Sequence, residues 1–103
     1  MKNSEKLFVY GTLQEADVQK KVLGRILRGI PSSLSGFRKS TITIDDILYP
    51  IIEEDKYATE DIHGFVLEIE EEYLKLLDVY EGDEYRRKRV TLNSGLCAWV
   101  YQK

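Results

Sequence analysis

Hydrophobic and polar residues alternate along the chain in short segments that predict several strands and two helices. An apolar run predicts a first strand over residues 6–10. Apolar residues at helical spacing then predict a helix over residues 15–28, which Gly29 and Pro31 are expected to end. The chain therefore begins with a strand that passes directly into a helix.

The middle of the chain is rich in strand-forming residues. Residues 34–44 and 49–52 are strand-prone, and the acidic residues 53–55 follow the second of these segments. Residues 62–69 alternate, with Phe65, Leu67 and Ile69 on one face. These segments predict a run of strands between the first helix and the second.

The last third of the chain predicts a short helix and a hairpin. Residues 71–80 have acids in the first turn, and Gly82 follows as a stop signal. The apolar residues of this helix are expected on one side: Tyr73, Leu76, Leu77 and Tyr80. Residues 85–92 and 96–101 predict strands joined by a turn at residues 93–95. The order of elements predicts an α+β fold, with two main helices and a curved, mixed or mostly antiparallel sheet or small β-barrel.

Composition narrows the class of protein. The length suits a single domain over residues 1–103, and 43% hydrophobic residues suffice for one core. A net charge of −3 argues against nucleic acid or an anionic membrane as partner, although residues 86–89 are all basic. The polar N-terminus has no signal-peptide pattern, and no apolar segment is long enough to cross a membrane, so we expect a cytoplasmic protein. Cys97 lies in an apolar run and is expected to be a small buried residue.

The first strand ends in Tyr10-Gly11-Thr12-Leu13, just before the first helix. A strand that stops at a glycine and turns into a helix leaves backbone N–H groups unpaired and pointing the same way. Such a turn can bind a carboxylate or a developing oxyanion. Tyr10 itself fits a pocket wall and a core position equally well.

Glu81 is the candidate general base. It follows the predicted second helix, where the helix dipole opposes a negative charge, and Asp78, Asp83 and Glu84 add like charge. Both effects are expected to raise its pKa toward the range useful for proton transfer. The simpler interpretation is a solvated surface acid beside a glycine turn.

These segments resemble the γ-glutamylcyclotransferase-like family. The resemblance rests on Tyr10-Gly11-Thr12-Leu13, on the block Leu77-Asp78-Val79-Tyr80-Glu81-Gly82, and on Tyr85-Arg86-Arg87. Shorter matches lie between them: Leu23-Gly24-Arg25, Ser35-Gly36-Phe37-Arg38, Tyr49-Pro50 and His63-Gly64. The chain is most similar to the avirulence-induced-gene-like and γ-glutamylamine cyclotransferase-like subgroup.

The resemblance implies the family fold and the cyclisation of a γ-glutamyl group to 5-oxoproline, with release of an amine or amino acid. Glu81 matches the catalytic glutamate, and the residues implied to bind the small-molecule substrate are Tyr10, Gly11, Thr12, Leu13, Tyr49 and Tyr85. The reaction requires no cofactor and no metal.

Some alternatives stay open at this stage. Residues 14–18 depart from the Lys/Arg-Gly-x-x-Asn stretch of many γ-glutamylamine cyclotransferases, which leaves the substrate undefined. A non-catalytic binding or interaction domain with the same pocket is the alternative function. Arg87 can orient the Glu81 turn or form a surface salt bridge, and His63 is expected to be a strand residue. The sequence does not define the oligomeric state.

Overall fold

The computed structural model describes residues 4–103; residues 1–3, where the segment inspected for a signal peptide begins, lie outside the described residues. A short 3₁₀ helix, Thr12–Gln14, precedes the first α-helix. The strands and α-helices, in chain order, are β1 (Ser4–Val9), α1 (Ala16–Leu23), β2 (Ile30–Leu34), β3 (Phe37–Ile44), β4 (Ile47–Glu54), β5 (Ile62–Glu70), α2 (Glu71–Glu81), β6 (Arg86–Thr91) and β7 (Cys97–Gln102).

Five strands form the main sheet in the order β2–β5–β1–β7–β6, and β3 and β4 pair with each other as a two-stranded ribbon. All neighbouring strands are antiparallel except β1 and β7, where Leu7 lies opposite Trp99 in a parallel pair. The predicted α+β fold with a curved, mostly antiparallel sheet and two helices is confirmed. The barrel alternative is wrong, because β2 and β6 remain at the edges of an open sheet.

The first strand is buried on both of its faces. Leu7 and Val9 pack with residues of the two helices, whereas Phe8 and Tyr10 face the β3–β4 ribbon on the other side of the sheet. A strand between two apolar layers needs consecutive apolar residues rather than alternating ones. This requirement explains the uninterrupted apolar run that opens the chain.

The first helix is shorter than predicted and ends at Leu23 rather than near residue 28. Gly24 adopts a left-handed conformation, with φ of 77°, and its N–H donates to the carbonyl of Lys20. Buried Gln19 then fixes the following segment, because its amide donates to the carbonyl of Leu13 and its Oε1 accepts the N–H of Leu27. The local pattern continues beyond the helix, but the glycine cap and the Gln19 contacts redirect the chain.

The predicted strand over residues 34–44 is two strands. Gly36 separates β2 from β3 with φ of +84°, a conformation that other residues rarely adopt. The chain therefore leaves the main sheet here and begins the ribbon.

The buried face of α2 also differs from the prediction. Leu74 and Leu77 are its buried residues, while Leu76 and Tyr80 point outward. The prediction was right for Leu77 and for Tyr73, which packs against the same cluster, but it omitted Leu74 and wrongly included Leu76 and Tyr80.

The last hairpin agrees with the prediction in its turn and differs from it at Cys97. The turn at residues 93–95 joins β6 to β7 as expected. Cys97, however, is exposed rather than buried, because it opens β7 opposite Thr91 at the edge of the hairpin. No helix among the described residues is long and apolar enough to cross a membrane.

Candidate active site

A pocket of about 250 Å³ lies where the end of β1, the ribbon and the end of α2 meet. All seven residues that the sequence singled out line it: Tyr10, Gly11, Thr12, Leu13, Tyr49, Glu81 and Tyr85. Other lining residues, such as Phe8, Ile44, Pro50, Tyr80, Glu84 and Tyr101, were not predicted. His63 does not line this pocket and is an exposed residue of β5.

The turn after β1 lines the pocket and contains backbone N–H groups that its own hydrogen bonds do not use. Its first intrahelical hydrogen bond runs from the N–H of Gln14 to the carbonyl of Gly11, at 3.0 Å. The amides of Thr12 and Leu13 precede that bond, so they have no acceptor within the 3₁₀ helix. The buried side chain of Leu13 anchors the turn in the core. The turn is thus anchored, and the amides of Thr12 and Leu13 are its candidate donors to a bound group.

Gly11 allows the turn to approach the ribbon. A Cβ atom at this position would lie 3.1 Å from Cγ of Pro50, closer than most Cβ contacts. The backbone of Gly11 is not in a left-handed conformation. Glycine is therefore needed here because it is small: without a side chain at this position, β4 can lie close to the turn and form one wall of the pocket.

Tyr10 serves both roles that its position allowed. Its side chain is buried, and its hydroxyl donates a 2.5 Å hydrogen bond to the carbonyl of Tyr101. Burial, with smaller contributions from Tyr85 and Glu81, raises the pKa of the Tyr10 hydroxyl. It therefore stays protonated and acts as a fixed donor in the wall of the pocket.

Glu81 is the last residue of α2, directly before Gly82. Burial raises the pKa of its carboxyl from 4.5 to about 7. The direction agrees with the sequence prediction, but burial causes the rise rather than the charges of neighbouring acids. Among residues 4–103, no hydrogen bond or ion pair to the Glu81 carboxyl is found. A carboxyl that titrates near neutral pH and faces a pocket can take up and release a proton there.

Tyr85 connects the segment that follows Glu81 with the ribbon. The hydroxyl of Tyr85 donates to the carbonyl of Pro50 at 2.8 Å, next to Tyr49 in β4. Burial raises the pKa of Tyr85 to about 12, and the nearby charge of Glu81 adds to this rise. The bond holds the Tyr49 wall of the pocket against the segment that follows Glu81.

The sequence missed the role of Tyr101 and misjudged that of Asp78. Asp78 was treated as an extra negative charge, but it pairs with Arg87, whose Nε lies 3.0 Å from Oδ1. The Tyr101 hydroxyl donates to the same oxygen at 2.7 Å. Strand alternation gave no sign of this contact, because Asp78 and Tyr101 are 23 positions apart.

Three basic residues of β6, Arg87, Lys88 and Arg89, make contacts within the protein. Lys88 pairs with Glu54 on one face, and Arg89 pairs with Glu5 at 3.1 Å on the other. Arg87 and Arg89 lie over the ring of Trp99, at 4.4 and 4.6 Å from its centroid. The described residues contain no cluster of three His, Cys, Asp or Glu side chains arranged to hold a metal ion.

Comparisons with known proteins place this geometry in a family. Residues 7–103 match the family described as γ-glutamyl cyclotransferase, AIG2-like. The AIG2-like protein C of Arabidopsis thaliana is 40% identical over 85 residues, which are 82% of this chain and 47% of that protein. The AIG2-like protein A of the same plant is 34% identical over 85 residues, 82% of this chain and 49% of that protein. The chain thus spans about half the length of these relatives.

Solved structures show the same fold. The solution structure of an Arabidopsis thaliana protein superposes with a TM-score of 0.79 at 30% identity, over 96% of this chain and 68% of that one. A structure titled gamma-glutamyl cyclotransferase gives a TM-score of 0.78 at 16% identity, over 97% and 66% of the two chains, and at that identity shows the fold alone. The match over residues 7–103 decides the family: this chain belongs to the AIG2-like γ-glutamyl cyclotransferase family.

Proposed function

We propose that the pocket binds a small-molecule γ-glutamyl substrate and cyclises its γ-glutamyl group to 5-oxoproline, releasing the amine. The observation that carries this proposal is that the Glu81 carboxyl and the Gly11–Leu13 turn line one pocket. The name of the family points to the same chemistry. The alternative, a binding domain without turnover, leaves the raised pKa of Glu81 without a use.

The reaction needs proton transfer between two nitrogen atoms of one substrate. Glu81 takes a proton from the substrate's α-ammonium, and the freed nitrogen attacks the γ-carbonyl carbon to form the ring C–N bond. Glu81 then delivers that proton to the leaving nitrogen as the original amide C–N bond breaks. A second proton follows by the same route, so the lactam keeps one hydrogen on nitrogen and the amine leaves as an ammonium ion. A pKa near 7 suits a group that must both accept and donate.

In this mechanism the turn stabilises the negative charge that develops in the transition state. The amides of Thr12 and Leu13 would donate to the oxyanion that develops on the γ-carbonyl. One such donor typically contributes about 3–4 kcal/mol to the transition state. The tyrosine walls around Tyr49 and Tyr85 would hold the substrate folded, and orientation is effective because both reacting groups belong to one molecule.

A panel of γ-glutamyl amines and γ-glutamyl amino acids tests the proposal, with 5-oxoproline measured by mass spectrometry. We expect the wild-type protein to produce it, and Glu81→Gln to reduce its rate at least about 100-fold. Asp83→Asn is the matched control, since it removes a neighbouring exposed charge that does not line the pocket. Turnover by Glu81→Gln at the wild-type rate would refute the mechanism. Saturable binding without 5-oxoproline would instead support the binding-domain alternative.

A further inference from the structure

Asp78 lies one turn before Glu81 on α2, and its carboxylate is held from two strands. Tyr101 on β7 donates to Oδ1 at 2.7 Å. Arg87 on β6 approaches the same oxygen with Nε at 3.0 Å and Oδ2 with Nη2 at 3.2 Å. We call Asp78, Arg87 and Tyr101 the Asp78 cluster. It joins the end of the helix to the main sheet by both oxygens of one side chain.

The side chains near the end of α2 are mostly exposed. Leu77 is fully buried, but Val79 is 81% exposed and Tyr80 48% exposed. The helix has no basic residue in its last turn, where the dipole favours cations and disfavours an aspartate. An acid at this position is therefore poorly explained by helix stability alone. Its contacts with the two strands give it a role in fixing the turn.

The partners of Asp78 are themselves fixed. The guanidinium of Arg87 lies 4.4 Å from the ring centroid of Trp99. The carbonyl of Tyr101 accepts the hydroxyl of Tyr10, so the Asp78 cluster is attached to the strand that carries the substrate-binding turn. Burial raises the pKa of the Tyr101 hydroxyl, which keeps it protonated as a donor to Asp78. Arg87 and Tyr101 are thus held in place on the sheet, and both contact the carboxylate of Asp78 on α2.

We propose that Asp78 is a positioning residue, which through Arg87 and Tyr101 fixes the last turn of α2 and the direction in which Glu81 faces the pocket. Asp78 does not line the pocket and would not touch the substrate. Its carbonyl accepts the N–H of Gly82, so a shift of Asp78 is passed to the residue that follows Glu81. This inference rests on the proposed cyclisation, whose rate would report the placement of Glu81.

Asp78→Ala and Tyr101→Phe test the proposal, with Asp83→Ala as the matched truncation of a nearby acid outside the Asp78 cluster. We expect Asp78→Ala to lower kcat about tenfold or more while KM changes less than about threefold, because a misplaced catalytic group costs rate more than binding. Asp83→Ala should keep kcat within about twofold. Tyr101→Phe retains the carbonyl that accepts Tyr10 and removes the bond of the hydroxyl to Asp78, together with its longer contact of 3.4 Å to the carbonyl of Leu74.

The double variant separates positioning from simple stability. The double variant combines Asp78→Ala with Tyr101→Phe. If Tyr101 acts through Asp78, the fold-reduction of kcat in this double variant should be clearly smaller than the product of the fold-reductions in the two single variants. A purely structural role would lower the melting temperature of Asp78→Ala but leave its kcat equal to that of Asp83→Ala, and this result would overturn the proposal. If Asp78→Ala does not fold, Asp78→Asn keeps an acceptor for Tyr101 and removes the charge that pairs with Arg87; a kcat equal to that of Asp83→Asn would then overturn the proposal.

A second measurement keeps this inference distinct from the proposed function. Absence of 5-oxoproline from the wild-type protein on the whole panel would refute the cyclisation. The positioning role of Asp78 is then tested by amide hydrogen exchange at Gly82, whose N–H donates to the carbonyl of Asp78. We expect Gly82 to exchange at least about tenfold faster in Asp78→Ala than in Asp83→Ala, under conditions where both are folded. Equal exchange rates would refute the positioning role.

Discussion

The hydroxyl of Tyr10 donates a 2.5 Å hydrogen bond to the backbone carbonyl of Tyr101. This bond joins the end of β1, where the Gly11–Leu13 turn begins, to the neighbouring parallel strand β7. Tyr101 extends the connection to α2, because its own hydroxyl donates to Asp78. A single residue of β7 thus links the turn that would bind the substrate with the helix that carries Glu81.

Tyr10→Phe should lower the free energy of unfolding by about 1–3 kcal/mol, because it leaves the Tyr101 carbonyl without this donor in a buried environment. Urea denaturation followed by fluorescence measures the change. Tyr57→Phe is the matched control, since Tyr57 is 79% exposed and its hydroxyl makes no hydrogen bond within the described residues. Equal stability of the two variants would show that the buried bond contributes nothing.

Glu81→Gln should make the protein more stable above neutral pH while it removes activity. Because burial raises the pKa of Glu81 from 4.5 to about 7, the native state binds more protons than the unfolded state between these values. Wild-type stability therefore falls as the pH rises through this window. We expect Glu81→Gln to gain about 1–3 kcal/mol over wild type at pH 8 and nothing at pH 4. Thermal unfolding of wild type, Glu81→Gln and Asp83→Asn at both pH values measures the change. A difference in stability between Glu81→Gln and wild type that is the same at pH 4 and pH 8 would show that burial of Glu81 is not its cause.

The rate of 5-oxoproline formation should fall as the pH is lowered through about 7. Glu81 must be ionised to accept the first proton, and its raised pKa places that transition near neutrality. The profile of kcat/KM against pH measures it in the free protein. Asp83→Asn should leave the transition in place. A fall in kcat/KM centred near pH 4.5 instead would mean that Glu81 is not buried in the functional state.

Gly64→Ala should strongly destabilise the protein. A Cβ atom at Gly64 would lie 2.2 Å from the carbonyl oxygen of Val9, a backbone atom that cannot move without shifting the end of β1. We expect a loss of about 3 kcal/mol or more in the free energy of unfolding.

Gly36→Ala is the control for this substitution. Gly36 has a positive φ but no neighbour within 4 Å, so alanine there should cost only about 1–2 kcal/mol of backbone strain. Denaturant titration of both variants compares the two effects. Equal losses would show that the close approach of Gly64 to β1 is relaxed in solution.

Local patterns in the sequence were sufficient for much of the fold and for the candidate site. The apolar run of β1, the turn that begins at Gly11 and the helix that ends beside Gly82 are each encoded by adjacent residues. The two segments of the site were paired by their resemblance to a known family, because nothing in a chain pattern tells which distant segments meet. The cytoplasmic location and the substrate remain predictions.

Tertiary contacts decided the rest. The end of α1 depends on Gly24 and on the bonds of buried Gln19, and the exposure of Cys97 depends on the register of the last hairpin.

The sequence by itself determined that an acid stands at the end of a helix and that a glycine turn follows the first strand. Only the tertiary structure decided why the pKa of Glu81 rises and what Asp78 contacts. The helix dipole and the neighbouring acids are local and visible in the sequence. Burial of Glu81 arises where the sheet, the ribbon and α2 meet, and it is the cause of the shift. Desolvation depends on atoms that are distant in the chain, so it becomes evident only in the folded protein.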